Sequence, residues 1–303
     1  MTSGSPDAAR RMHYGTFYLL KPPPKPTGKP RVMVVGNCQA ESLRILLETA
    51  DVVDSFRIPP IHEWTDEDYA LACRHLKSTD VLVMQPVREN YRGLPCGTAQ
   101  LATHLPRGAR VITFPVLRFD GLFPYHAIVR SPAQPWLNPP VVPYHDLRIL
   151  SAAWHTTPTI PSPQPSLQVL RALAAMSIEQ LRRREQHHRT VVVSDFLERT
   201  PIWHTLNHPD NATLMFMAQR VLDVAGLAGD VADPGRELLG NLDAPVDKRA
   251  ARALGVDVTG REEWSPAREG IALEHRAFYA EHPEIVRAGI ERHRDRLELL
   301  ELL

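Results

Sequence analysis

The sequence is short of cysteine, of net charge and of long apolar runs. Its 303 residues include three cysteines, Cys38, Cys73 and Cys96, which do not form a disulfide framework. Lysine plus arginine equals aspartate plus glutamate at 35 each, so bulk charge indicates neither nucleic acid nor an anionic membrane as a partner. No apolar run approaches the ~18 residues that span a bilayer, and the N-terminus lacks the apolar core of a signal peptide. We therefore expect a cytoplasmic protein.

Several catalytic and cofactor motifs are also missing. The chain has no GxGxxG and no GxxxxGKS or GxxxxGKT, so neither a Rossmann dinucleotide site nor a P-loop is indicated. The cysteines lack CxxC spacing, and the histidines of HTLNH, His204 and His208, lack the glutamate of HExxH. We therefore expect no metal, and chemistry that depends on the chain's own side chains.

Proline is abundant instead, at 28 residues, and its distribution suggests how the chain is organised. Residues 1–30 read as a flexible leader that ends in KPPPKPTGKP. Residues 31–303 then read as a single α/β domain. Its segment 116–165 is rich in proline and predicts a loop-rich insert, of the kind that forms lids or binding elements. The segment 266–303 predicts helices, divided at Pro283.

Apolar runs and amphipathic segments alternate along the domain. A helix with apolar residues at helical spacing follows the first run, another begins after the N-cap Thr65, and a third begins near Asn211. The pattern predicts a flavodoxin-like or SGNH-like fold, with a parallel sheet of about five strands and helices on both faces. The predicted strands are RVMVV, VVDSFRI, DVLVMQ, RVITF and TVVVSDF, which begin at Arg31, Val52, Asp80, Arg110 and Thr190.

Polar residues follow three of these strands, where an open parallel sheet binds its ligands. The first strand leads into GNCQ, Gly36 to Gln39, and the third leads into Gln85. The fifth ends at Asp195, with His204 and His208 beyond it. We expect these distant parts of the chain to meet at one rim.

Cys38 stands between the first strand and the helix that follows it. A helix N-terminus offers free backbone N–H groups and the positive end of the dipole, and both favour a nucleophilic thiolate. Gly36 would allow the tight turn, and Asn37 could donate a side-chain N–H to an oxyanion. The alternative is that Cys38 is a small apolar residue packed under the helix. Cys73 and Cys96 read as structural.

His208 is placed to act as a general base, because it ends a loop before a helix and a proline fixes the backbone after it. His204 precedes it by four residues, and one of the two would suffice. Residues that could orient the base are Asn207, Asp195 and Asp210. The alternative is a loop histidine with a local hydrogen bond.

Three arginines follow strands that end at the same predicted rim. Arg88 and Arg92 come after the third strand, and Arg118 comes after the fourth. Guanidinium groups bind phosphate well, so these residues are candidates for contacts with a phosphorylated cofactor.

The order of several motifs resembles the WcbI family of polysaccharide biosynthesis proteins, associated with bacterial capsules. The resemblance spans roughly residues 31–300 and rests on GNCQ, FPVLRFDGLFP, YHD at Tyr144 to Asp146, SIEQLRRRE and TLNHPDN. The resemblance implies a coenzyme A-binding protein that transfers an acyl group from acyl-coenzyme A to a sugar hydroxyl. In this family the acyl group is expected to be acetyl.

The resemblance also implies roles for the predicted site residues. Cys38 would attack the thioester or orient the acyl group, and His208 would take the proton of the acceptor hydroxyl. The oxyanion or the acyl group would receive hydrogen bonds from Asn37, Gln39 and Gln85.

A more distant similarity is to the SGNH or GDSL hydrolases. In those enzymes a serine at a strand end follows Gly-Asp; Cys38 takes the place of that serine, and Asn37 takes the place of the aspartate before it. His208 matches their late histidine, while Thr205 stands where their second aspartate would be. Two alternatives therefore stay open: an esterase or thioesterase that uses the same residues, and a non-catalytic coenzyme A-binding protein of a biosynthetic assembly.

Overall fold

The computed structural model describes residues 6–22, 27–131, 133–134, 136–258 and 261–303. The strands are β1 (Arg31–Val35), β2 (Asp54–Ser55), β3 (Val81–Met84), β4 (Arg110–Thr113), β5 (His126–Ala127), β6 (His145–Asp146), β7 (Trp203–Thr205) and β8 (His208–Pro209). The helices are α1 (Pro6–His13), α2 (Cys38–Thr49), α3 (Asp66–Leu76), α4 (Thr98–Ala102), α5 (Leu147–Trp154), α6 (Leu167–His188), α7 (Ser194–Arg199), α8 (Asn211–Ala225), α9 (Lys248–Leu254), α10 (Ile271–Glu281), α11 (Pro283–Arg292) and α12 (Arg294–Leu299).

The chain forms two compact units. The first unit contains Met1–Val116, Leu181–Phe196 and Asp210–Leu239, and the second contains Leu117–Gln180, Leu197–Pro209 and Gly240–Leu303.

A parallel sheet in the order β2-β1-β3-β4 lies at the centre of the first unit. Met33 and Leu82 face a cluster that includes Ala72 and Leu76 of α3. Their neighbours Val34 and Val83 are also buried, as the pleat requires when both faces are covered. Helices α2 and α8 contact each other, and they also contact β1 and β4 respectively. The α/β fold with a parallel sheet flanked by helices is confirmed.

The predicted fifth strand, TVVVSDF, does not form. Val191 N–H donates to the carbonyl oxygen of Thr113, the last residue of β4. The chain then turns into α7. The buried carboxylate of Glu185 accepts hydrogen bonds from the backbone N–H groups of Val193 and Ser194 at 2.8 and 3.0 Å. Those donors are therefore engaged by a side chain and not by a neighbouring strand. The central sheet has four strands among the described residues.

The N-terminal segment is more ordered than the predicted leader. Helix α1 forms, and Phe17 and Tyr18 are buried in the cluster on the α3 side of the sheet. Tyr18 donates its hydroxyl to Asp68, which also pairs with Arg10 at 3.0 Å. Burial of two aromatic rings and this ion pair fix the segment, and a flexible leader over all of 1–30 is wrong. Part of the proline-rich stretch, residues 23–26, lies outside the described residues.

Two predicted helices agree closely with the structure. Thr65 caps α3, and its side chain and that of Asp68 exchange hydrogen bonds with each other's backbone N–H groups. Helix α8 begins at Asn211, and Leu214, Met217 and Val221 are buried on one face. Both signals are local, which is why the sequence shows them.

The second unit has a helical core and two short antiparallel ribbons, β5–β6 and β7–β8. Leu150 of α5 packs in one cluster with Phe278 of α10, Ile285 of α11 and Leu297 of α12. The C-terminal helices therefore form as predicted, with Pro283 in the first turn of α11. The segment 116–165 contains α5, β5 and β6, so it is more regular than the predicted loop-rich insert.

Within the described ranges, no helix combines the length and hydropathy needed to cross a bilayer.

Candidate functional site

The turn after β1 is built from residues close together in the chain. Asn37 caps α2 and accepts a hydrogen bond from the backbone N–H of Gln39 at 2.9 Å. This hydrogen bond uses the side-chain oxygen of Asn37. The side-chain NH₂ group of Asn37 is the group that could donate to an oxyanion. Cys38 is the first residue of α2, as predicted.

Two buried glutamines brace this turn from below. Gln85, which follows β3, accepts from Asn37 N–H at 2.9 Å and donates to the side-chain oxygen of Gln39 at 3.2 Å. Gln39 and Gln85 are 0 % and 3 % exposed. The structure therefore brings both together with Asn37, as predicted, and these hydrogen bonds hold the turn itself. Their predicted role as donors to a reacting group stays a prediction.

Position 36 needs a glycine because the side chains of Gln85 and Ala40 lie close to its Cα. A Cβ at this position would lie 2.7 Å from Gln85 Oε1 and 3.1 Å from the Cβ of Ala40. A side chain would push away the glutamine that holds Asn37, so the absence of a Cβ brings the two strand ends together.

Cys38 is exposed, whereas Cys73 is half-buried and Cys96 is buried. Even so, surrounding protein raises the pKa of the Cys38 thiol through desolvation, and the backbone N–H groups of Gln39 and Cys38 lower it by less. The predicted thiolate stabilisation is thus present but is the weaker effect. Cys38 is an accessible thiol that needs a proton acceptor to become a nucleophile at neutral pH.

The three predicted phosphate contacts lie in different places. Arg88 and Arg92 are exposed in the first unit, and Arg92 donates to the carbonyl oxygen of His62. Arg118 belongs to the second unit and is half-buried. Their role in binding a cofactor stays a prediction. The described residues contain no group of three or more histidine, cysteine or acidic side chains that could hold a metal ion.

The candidate base lies in the ribbon β7–β8, where Thr205 pairs with His208. Burial, and to a lesser degree the nearby His204, lower the pKa of His208 to about 4. At neutral pH the imidazole is uncharged, so its lone pair can accept a proton.

His204 has a carboxylate partner that the sequence did not indicate. Its Nδ1 lies 2.7 Å from Asp243 Oδ1, and Arg261 approaches the same oxygen at 3.7 Å. Arg261 also donates to the carbonyl oxygens of Trp203, His204 and Ala244. These contacts join the ribbon to the chain around Asp243. No motif signals the pair, because 39 residues separate its members.

Tyr144 and Thr205 form a second buried contact under the ribbon. Their hydroxyls lie 2.8 Å apart, and Tyr144 also donates to Asn207 Oδ1 at 2.8 Å. Thr205, fully buried, thus contributes a hydroxyl where the SGNH pattern has an acid. The sequence singled out Tyr144 only through the YHD motif.

The predicted orienting acids have other contacts. Asp210 caps α8 by accepting from Thr213 N–H at 3.0 Å. Asp195 lies on α7 in the first unit, where Arg182 approaches it at 3.5 Å.

Comparisons with known proteins agree with this architecture. A solved structure described as WcbI, a novel polysaccharide biosynthesis enzyme, superposes with a TM-score of 0.73 at 17 % identity, covering 90 % of this chain and 99 % of that one. It is described as native protein without a disulfide bond between coenzyme A and one of its cysteines. A search of curated protein sequences gives no match. The sequence profile of the family "Polysaccharide biosynthesis enzyme WcbI" matches residues 31–230, well over half of the chain. The chain therefore belongs to the WcbI family of polysaccharide biosynthesis enzymes.

Proposed function

We propose that the protein is an acyltransferase that moves an acyl group from acyl-coenzyme A to a hydroxyl of a sugar or glycosylated intermediate. The observation that carries the proposal is the exposed Cys38 thiol at the start of α2, on a turn braced by buried glutamines. The solved WcbI structure is described with reference to coenzyme A and one of its own cysteines, which supports a coenzyme A thioester as the donor here.

In the first step Cys38 would attack the thioester carbonyl. The sulfur–carbon bond to Cys38 forms, the bond to coenzyme A breaks, and the proton of Cys38 ends on the coenzyme A thiol. The amino group of Asn37 would donate to the oxyanion, because the backbone N–H groups of Gln39 and Ala40 already donate to oxygens of Asn37. Arg88, Arg92 and Arg118 are proposed phosphate contacts.

In the second step an acceptor hydroxyl would attack the acyl-cysteine. His208 would take the hydroxyl proton and release it to solvent, the new ester forms, and the Cys38 sulfur leaves as a thiolate that solvent reprotonates. An uncharged imidazole is the form that this step requires. The contact of His204 with Asp243 and Arg261 would hold the ribbon in place while His208 acts.

An esterase or thioesterase on the same residues is the second candidate. The exposure of Cys38 favours it, because water that reaches an acyl-cysteine hydrolyses it unless the site excludes water.

Incubation with acetyl-coenzyme A alone, followed by peptide mass spectrometry and a coenzyme A release assay, tests both candidates. Transfer predicts about one equivalent of coenzyme A released and an acetyl group on the Cys38 peptide. Cys38→Ala should abolish both, and Cys73→Ala should preserve both. Continuous release would identify the hydrolase. Binding of coenzyme A without adduct or release would contradict both and favour a non-catalytic binding protein.

A further inference from the structure

A large open groove lies within the second unit, and none of the candidate site residues described above lines it. Its volume is about 680 Å³, within the range of small-molecule sites. The C-terminal end of α5, the turn after it, and the junction of α10 with α11 form its walls.

The groove exists because small side chains line it. Ala152, Ala153 and Ala280 stand where larger residues would fill the space, and the buried Tyr279 and Val286 lie beneath. Helix α5 therefore packs densely against α10 and α11 in the core. At this end the small side chains leave the apolar floor of the groove, which is called the trough below.

Trp154 stands at the edge of the trough with 44 % of its surface exposed. On the same helix Leu147 and Leu150 are fully buried. A large aromatic ring left in water beside an apolar trough is typical of a binding surface.

The charges of the groove have one sign. Arg276 and Arg287 line it, and none of its described lining residues is acidic. Arg276 donates to the carbonyl oxygen of Pro158, which holds its guanidinium at the edge, and Arg287 is exposed. An apolar trough with two cations matches a molecule with an apolar body and an anionic head.

The turn at one end of the groove is held in an uncommon backbone conformation. Thr156 has φ of 54°, although it is β-branched. Thr157 N–H donates to the carbonyl oxygen of Ala152 and closes the turn. Strained residues of this kind persist where the surrounding structure holds them, and they are concentrated at binding sites.

We propose that this groove binds an anionic amphiphile, an alkyl or prenyl chain with a phosphate or carboxylate head. The chain lies along the alanines and Trp154, and the head pairs with Arg276 and Arg287. The proposal is independent of the acyl-transfer chemistry at Cys38.

Titration of the full chain with decyl phosphate below its micelle concentration, followed by calorimetry, tests the proposal. Decyl phosphate should bind, whereas decanol and inorganic phosphate should each bind at least about tenfold more weakly, because each lacks one of the two contacts. Ala280→Phe fills the trough from an exposed position and should abolish binding. Arg287→Gln should weaken binding about tenfold, and Arg287→Lys should weaken it less.

Arg294→Gln provides the matched control, since Arg294 is an exposed arginine of α12 that does not line the groove. Equal weakening by Arg294→Gln and Arg287→Gln would show non-specific attraction and overturn the proposal. Binding of decanol as tight as that of decyl phosphate would overturn the role of the arginines. Absence of binding at millimolar decyl phosphate, or a dimer that Ala280→Phe dissociates, would also overturn it.

Discussion

The turn at Cys38 and the ribbon at His208 position their side chains in different ways. At the turn, Asn37 caps its own helix, and a single distant residue, Gln85, arrives on the adjacent strand. In the ribbon, His204 and Thr205 find partners 39 and 61 residues away.

This difference has a physical consequence. The turn depends on backbone geometry and on the register of β1 with β3, which ladder hydrogen bonds fix. The ribbon depends on side-chain contacts from three chain segments. A buried polar network of that kind loses stability when one of its members loses its partner. The turn should therefore resist changes in solution conditions better than the ribbon.

The largest effect should come from the ribbon histidines. His208→Ala should reduce acyl transfer by about 10²–10⁴-fold and leave coenzyme A binding nearly unchanged. His204→Ala and Asp243→Asn should cost less, because their contact holds the ribbon and touches no reacting atom in our proposal. Steady-state kinetics with one acceptor, on variants matched by circular dichroism, measures this.

The acid limb of kcat/KM sharpens the same assignment. Because the pKa of His208 is about 4, kcat/KM for the acceptor, which reports the second step, should stay constant as pH falls from 7 to 5. A limb near pH 6.5, or a greater loss with His204→Ala, would move the base away from His208.

Acid should destabilise the second unit first. Burial lowers the pKa of His126, His208 and His293 to about 4 and that of His145 to about 3. The unfolded chain then binds more protons than the folded chain. Stability is therefore highest above pH 6.5 and falls as pH drops toward 4, by about 2 kcal/mol at pH 5 for a histidine with a pKa of about 4.

Hydrogen exchange at pH 7 and 5.5, corrected for intrinsic rates, should show more protection lost in the second unit than in the first. His126→Phe keeps the ring between Phe123 and Trp264 and should reduce the loss. His155→Gln, at an exposed position, should not. Equal loss in both units would contradict the contrast.

Removal of the brace should destabilise the turn. Gln85→Leu removes the buried side chain that accepts from Asn37 N–H and donates to the Gln39 side-chain oxygen. The free energy of unfolding should fall by about 1–3 kcal/mol, as urea denaturation would measure. Gln164→Leu, at an exposed position, is the control. A loss no larger than that of the control would show that the turn does not need Gln85.

Cys38 should be alkylated first of the three cysteines because it is the exposed one. Its raised pKa means that the thiolate fraction, and hence the iodoacetamide rate, should grow about tenfold per unit from pH 7 to 8. Peptide mapping at several pH values follows each thiol. A rate that is already constant below pH 8 would show a stabilised thiolate, and faster labelling of Cys73 or Cys96 would remove Cys38 as the nucleophile.

Part of the site could be predicted because its signals are local. The strand, the glycine and the cap of GNCQ lie within a few residues, and Gln85 follows from the alignment of parallel strand ends. The reason for Gly36 was not visible, since the sequence does not show how closely Gln85 approaches. The raised pKa of Cys38 was also hidden, because desolvation depends on what packs around the thiol.

The sequence alone determined the α/β alternation, the start of α2 at Cys38, the cap at Thr65 and the apolar face of α8. Hydrophobic period and capping operate over about one helical turn, so neighbouring residues suffice to specify them. Tertiary structure alone decided that Glu185 replaces a fifth strand, that Phe17 docks on the sheet and that Asp243 meets His204. Each of these contacts joins residues that become neighbours only when the unit folds, because partner choice there depends on burial and on which polar groups still need a hydrogen bond.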